Sequence, residues 1–138
     1  MSLVLDSSAT LAWIYAEEVT ASIRQVFATL QSSGAWVPSH WALEVANVLE
    51  MGVRRKRHDT IFRDATLADL ALLPLNLDPE TPRQAWSVTL QLAERHRLTL
   101  YDAAYLELAL RIRLPLATLD RELTLAAHAE GIAVLGQG

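Results

Sequence analysis

The feature that most constrains this chain is an alternation: short apolar runs, each stopped by a turn or cap residue, are separated by longer stretches with apolar residues at helical spacing. The first run, Leu3, Val4 and Leu5, ends at Asp6, Ser7 and Ser8, after which Leu11, Ile14 and Tyr15 recur on one helical face. A helix over residues 20–31 is closed by Ser32, Ser33 and Gly34, and a strand over 35–37 stops at Pro38. Ser39 is placed to cap a helix over 40–55, an amphipathic segment covers 59–73, Pro74 breaks it, and 75–77 read as a third strand. Pro82 suits the first turn of a helix through residue 95, and Thr99 caps another through 113. Residues 116–119 form a fourth strand, Asp120 opens a helix to 130, and 132–135 form a last strand after Gly131. Short strands alternating with helices predict an α/β domain with a parallel sheet covered on both faces. At 138 residues, with no repeat, linker or composition shift, the chain is expected to be one domain over 1–138. Ligands of such sheets bind beyond the carboxyl ends of the strands.

Composition narrows the chemistry available there. There is no cysteine, so disulfide scaffolds, thiolate metal sites and cysteine nucleophiles are excluded, and any metal must take oxygen or imidazole ligands. No apolar stretch approaches the length of a membrane span and no basic leader precedes Asp6, so a cytoplasmic protein with no membrane partner is expected. Twelve basic and sixteen acidic residues give a net charge of −4, which argues against a polyanion binder held by overall field.

Several acids stand where no helical neighbour pairs them. Glu50 has Arg54 four residues on and Glu107 has Arg111, the ordinary surface arrangement. Glu44 instead lies among Ala42, Leu43, Val45, Ala46, Val48 and Leu49, and Asp102 lies among Leu100, Tyr101, Ala103, Ala104, Tyr105 and Leu106 with no Lys or Arg at paired positions. Burying an unpaired carboxylate is costly, so a metal ion, a hydrogen-bond network or an open cleft must compensate. Asp6 and Asp120 each follow an apolar strand and precede a helix; helix capping explains either alone. On a parallel sheet both fall on the ligand-binding edge, and Glu44 and Asp102 can face it. A cluster of four carboxylates repels itself unless a cation sits in it, and an all-oxygen set suits Mg²⁺ or Mn²⁺. Such a metal activates water for phosphoester hydrolysis without a side-chain nucleophile.

Four motifs in this order and spacing, Val4-Leu5-Asp6-Ser7-Ser8, Glu44-Val45-Ala46-Asn47-Val48-Leu49, Leu100-Tyr101-Asp102-Ala103-Ala104-Tyr105 and Ala117-Thr118-Leu119-Asp120, resemble the PIN domains, in particular VapC-like toxin ribonucleases of bacterial toxin–antitoxin pairs. The resemblance runs the whole chain. It implies a PIN-like three-layer α/β/α fold and a metal-dependent endoribonuclease in which Asp6, Glu44, Asp102 and Asp120 bind one or two Mg²⁺ or Mn²⁺ ions. It implies that Ser8 and Thr118 orient a carboxylate or a metal-bound water and that Asn47, one turn from Glu44, belongs to the same set. It also implies RNA products with 5′-phosphate and 3′-hydroxyl ends, a homodimer, and a small antitoxin protein as partner.

Arg54, Arg55, Lys56 and Arg57 form the one basic run, read either as a rim gripping RNA phosphates or as a solvated helix terminus. The tryptophans, with Tyr15 and Phe27, are expected in core or interface, and none is assigned to RNA. The four histidines lack metal-ligand spacing. Apolar residues surround more than one face of the helices through Trp13-Ile14-Tyr15 and 45–51, a surplus that points to an interface. No Gly-rich turn or Gly-Lys-Ser/Thr follows the first strand, which removes dinucleotide-binding and P-loop readings. Ser8 stands where a haloacid-dehalogenase-like phosphatase needs a second Asp, and Lys56 is in the wrong half for a receiver domain. The rival from another class is a PIN-type domain that binds RNA or protein without cutting.

Overall fold

The computed structural model describes residues 1–138. Five strands, β1 (Val4–Leu5), β2 (Ala35–Val37), β3 (Leu75–Leu77), β4 (Leu116–Ala117) and β5 (Val134–Leu135), form one sheet in the order β3-β2-β1-β4-β5, every pair parallel. The helices are α1 (Ser7–Ile14), α2 (Ala21–Ser33), α3 (Trp41–Arg54), α4 (Thr60–Leu70), α5 (Thr81–Gln84), α6 (Val88–His96), α7 (Leu100–Ile112) and α8 (Arg121–Ala129), with a 3-10 turn at Ala16–Glu18. Helices α2 and α3 both pack on α1 and α4 packs on α3, while α5, α6 and α8 gather on α7, which lies against β1 and β4. The result is the expected α/β/α arrangement. No helix is long and apolar enough to cross a membrane.

The strands are short because each needs only to cross the core. Leu3, Val4, Leu5, Leu116 and Ala117 are fully buried between the layers, with Phe27, Leu30 and Leu49 from one set of helices and Tyr105, Leu106 and Leu108 from α7. Gly34 ends α2 at φ +74°, where a side chain would be strained and a Cβ would stand 3.1 Å from the Pro74 carbonyl. Gly52 within α3 admits the His58 ring, whose Nε2 would collide with a Cβ there. That ring packs against both Tyr15 and Phe62, which also stack on each other, and tethers the α3–α4 turn to the end of α1.

Two boundaries differ from the sequence reading. The helix expected from Pro82 through residue 95 is two helices, because Ser87 adopts φ −122° and ψ −101°, outside the helical region. Trp86 in that break is 90% exposed, so of the two places expected for the tryptophans, core or interface, the core is excluded for this one. Ser39 does not cap α3: His40 holds the cap position without a side-chain hydrogen bond, and the Ser39 N–H donates to Thr81 Oγ1 instead.

β1 is the central strand. The chain leaves it toward β2 on one side, and β4 joins it on the other, so the switch point at which parallel sheets hold their ligand crevice falls between the carboxyl ends of β1 and β4.

Candidate metal-binding site

Asp6 follows β1 directly and caps α1, its Oδ1 accepting from the Ala9 N–H at 2.8 Å. Its backbone N–H donates to the Ala117 carbonyl of β4, which draws the two strand ends together. Thr118, the residue after β4, donates to Asp6 Oδ2 at 2.5 Å, and Ser8 donates to the same carboxylate at 2.7 Å. Each hydroxyl also accepts: the Asp120 N–H reaches Thr118 Oγ1 at 3.0 Å and the Leu119 N–H reaches Ser8 Oγ at 2.9 Å. Ser8 and Thr118 thus fix the Asp6 carboxylate and tie it to the backbone that carries Asp120. Asp120 caps α8 through the Leu123 N–H at 2.8 Å.

Glu44 and Asp102 arrive from the first turns of α3 and α7. Thr99 caps α7 by accepting from the Asp102 N–H. Glu44 Oε1 accepts from the Tyr105 hydroxyl at 2.5 Å and stands 3.6 Å from His40 Nε2, which is itself 3.0 Å from the Tyr101 carbonyl. All four acids therefore sit at helix N-termini, where the positive end of each helix dipole favours a negative charge. Asp6 and Asp120 cap their helices, and in addition Asp6 feels the charge of Asp102 and Asp102 that of Asp120.

The charges register one another. Burial, opposed by the Thr118, Ala9 and Ser8 hydrogen bonds and reinforced by the charge of Asp102, pushes the Asp6 carboxyl from 3.8 up to about 6. Burial, then the like charges of Asp120 and Glu44, also raises Asp102 above its ordinary value, against the Thr99 hydrogen bond and nearby His40. Burial and the acceptor Glu44 raise the Tyr105 phenol, which keeps it protonated as a donor. Asp6, Asp102 and Asp120 form no ion pair, whereas other buried acids do: Asp78 and Glu107 are both held by Arg111, at 2.7 Å each.

This donor set fits a hard divalent cation: it is all oxygen, it carries unneutralised like charge, and part of it is already destabilised by desolvation. No three Asp, Glu or His side chains are gathered closely enough to cage an ion by themselves. Water or substrate phosphate oxygens would have to complete the shell of any ion bound here, as they do for Mg²⁺.

The other expected residues fall elsewhere. Asn47 is solvent-exposed on α3, so it does not satisfy a buried backbone group. The basic run is not a rim of the acidic crevice: Arg54 lies ten residues beyond Glu44 at the opposite end of α3, about 15 Å along the axis. Arg54 pairs with Glu50, and Arg57 binds Glu17 and Glu18 at 2.7 Å each while lying 3.4 Å over the Tyr15 ring. Arg55 and Lys56 remain exposed. Tyr105 and His40 are the site residues that the sequence did not reveal. Tyr105 reaches Glu44 across 61 residues, a pairing with no local signal, and the His40–Glu44 spacing of four was visible but reads equally as a helix-surface pair.

The family model for the PIN domain matches residues 3–129. Among nine solved chains that match is the crystal structure of PAE2754 from Pyrobaculum aerophilum, with a TM-score of 0.71 and 23% identity over 97% of this chain and 83% of that one. No curated protein matches by sequence.

Proposed function

The chain belongs to the PIN domain family, a nuclease fold whose members are generally metal-dependent ribonucleases, and on that premise we propose that it is an endoribonuclease using Mg²⁺ or Mn²⁺ held by Asp6, Glu44, Asp102 and Asp120. The observation that carries this is the set of unpaired carboxylates at the β1–β4 crevice, with Asp6 driven up to about 6 by burial and by Asp102. A metal bound there would polarise a phosphoryl oxygen and supply activated water.

The protein's own groups prepare that chemistry. Ser8 and Thr118 aim the Asp6 carboxylate and hold it against rotation. Tyr105 fixes one Glu44 oxygen and leaves the other for a ligand. The N-termini of α1, α3, α7 and α8 offset part of the negative field, which lowers the repulsion felt by an arriving RNA phosphate. Asp102 feels the like charges of Asp120 and Glu44 and adds its own to Asp6, so neutralising it relieves repulsion across the set.

The finer reading is the toxin of a toxin–antitoxin pair, acting in the cytoplasm as a homodimer and silenced by a small antitoxin protein. Its support is exposed apolar surface on the expected helices, with Leu43 at 76% and Trp13 and Val48 at 37%. An antitoxin arginine entering the crevice would satisfy the carboxylates a metal needs. Growth arrest on expression, relieved by co-expression of a small protein that co-purifies with this chain, is the expected behaviour; harmless expression of a strict monomer would count against it.

The rival reading is a PIN domain that binds RNA or protein without cutting. The discriminating experiment is cleavage of a broad RNA panel with Mg²⁺, Mn²⁺ or EDTA. Wild type should cut only with metal and Asp102→Asn should not cut; no cutting under any condition leaves the binding module.

A further inference from the structure

A recess of about 480 Å³ lies beside the acids, walled by the β2–α3 connection, by α5 and the start of α6, and by the first turn of α7. It shares a wall with the crevice, because His40, which lines it, touches the carbonyl of Tyr101 and approaches Glu44, and Tyr101 directly precedes Asp102. Tyr101, another lining residue, is 64% exposed, which is unusual for an aromatic ring that has a core to join. Its ring stands tilted 59° to His40, so a face of it stays open. Trp86, the most exposed large apolar side chain, follows Ala85 at the recess.

One polar group points to a ligand. Thr89 is 2% exposed and lines the recess. Its hydroxyl makes no hydrogen bond within the protein, and no side-chain oxygen is sealed away unpaired, so this oxygen keeps some exposure at the wall of the recess. Thr81 is different, since its hydroxyl is engaged by Asp78 and by the Ser39 N–H. An apolar slot with an open aromatic face and one unpaired hydroxyl in its wall matches a flat, hydrogen-bonding ring.

We infer that this recess binds an unstacked nucleobase of single-stranded RNA, with Tyr101 as the stacking face and the Thr89 hydroxyl at the base edge. The inference rests on the nuclease reading for its choice of ligand. It also supplies what that reading lacks: a protein of net charge −4 whose crevice is lined with carboxylates needs a contact with RNA that does not depend on phosphate attraction.

The test is fluorescence anisotropy of labelled single-stranded RNA in EDTA, using an intact strand and a series with one abasic nucleotide at successive positions. Wild type should bind the intact strand, and one abasic position should weaken binding about tenfold. Tyr101→Phe should retain that contrast. Tyr101→Ala should bind the intact strand about tenfold more weakly and lose the contrast, and Thr89→Val should alter which base is preferred at the sensitive position. Failure of the intact strand to bind, an abasic series that is flat, or Tyr101→Ala indistinguishable from wild type would each overturn the inference. If metal-dependent cleavage persists with a flat series, only the base site fails; if the abasic contrast is present but no metal supports cleavage, only the nuclease reading fails.

Discussion

Replacing Asp6 with Asn isolates the energetic cost of the candidate site. The Asp6 carboxyl ionises near 3.8 in an unfolded chain and at about 6 in the fold, a rise of about two units worth about 3 kcal/mol. Because the folded value is raised, the folded protein holds the proton more tightly. The associated stability is fully present below pH 3.8 and is lost as pH rises through about 6. Asn at this position cannot ionise, so that loss should vanish. It also cannot accept from both hydroxyls as the carboxylate does, but this deficit is independent of pH and offsets the curve without changing its slope. Urea unfolding in EDTA from pH 3.5 to 7.5 gives the difference in stability, wild type minus Asp6→Asn, and the acids with lowered values, such as Asp78 and Glu130, cancel in it. The difference should fall by about 3 kcal/mol, most of it between pH 4 and 6. A flat difference would show that Asp6 is not desolvated among like charges, and the case for the site would lose its energetic basis.

Metal binding should stabilise the native state: a divalent ion at ten times its Kd adds about 1.4 kcal/mol, a rise of about 5 °C in Tm, and Glu44→Gln should lose most of that rise in differential scanning fluorimetry. Arg111→Ala leaves Asp78 and Glu107, 2% and 3% exposed, buried without their cation, and should cost about 3–5 kcal/mol in chemical denaturation. Gly52→Ala drives a methyl into the His58 ring and should cost about 1–3 kcal/mol, with loss of the Tyr15 hydroxyl contact visible as a change in near-UV circular dichroism.

What could be read from the sequence was local, and what could not was long-range. Asp6 and Asp120 announce themselves because a strand end and a helix cap are adjacent in the chain, and Glu44 and Asp102 because their helical neighbours carry no cation. The all-parallel sheet follows from the same alternation of short apolar runs and helices. The hydrogen bonds that shape the site, Thr118 to Asp6 over 112 residues and Tyr105 to Glu44 over 61, have no counterpart in spacing. The α5–α6 break was invisible for a related reason. Residues 82–95 have no internal breaker after Pro82, and the short α5 is held instead by Thr81, Asp78 and Arg111, a cluster assembled only in the fold. The basic run was legible as charge but not as position, since its distance from Glu44 depends on α3 continuing unbroken between them.

The most direct measurement of the proposed activity is the chemistry of the fragment ends. RNA cut by water activated at these acids should carry 5′-phosphate and 3′-hydroxyl ends, formed only with Mg²⁺ or Mn²⁺ and absent with Asp102→Asn. Fragments ending in 2′,3′-cyclic phosphate, produced equally in EDTA and by Asp102→Asn, would mean that the RNA 2′-hydroxyl is the nucleophile and that the four carboxylates do not serve the reaction.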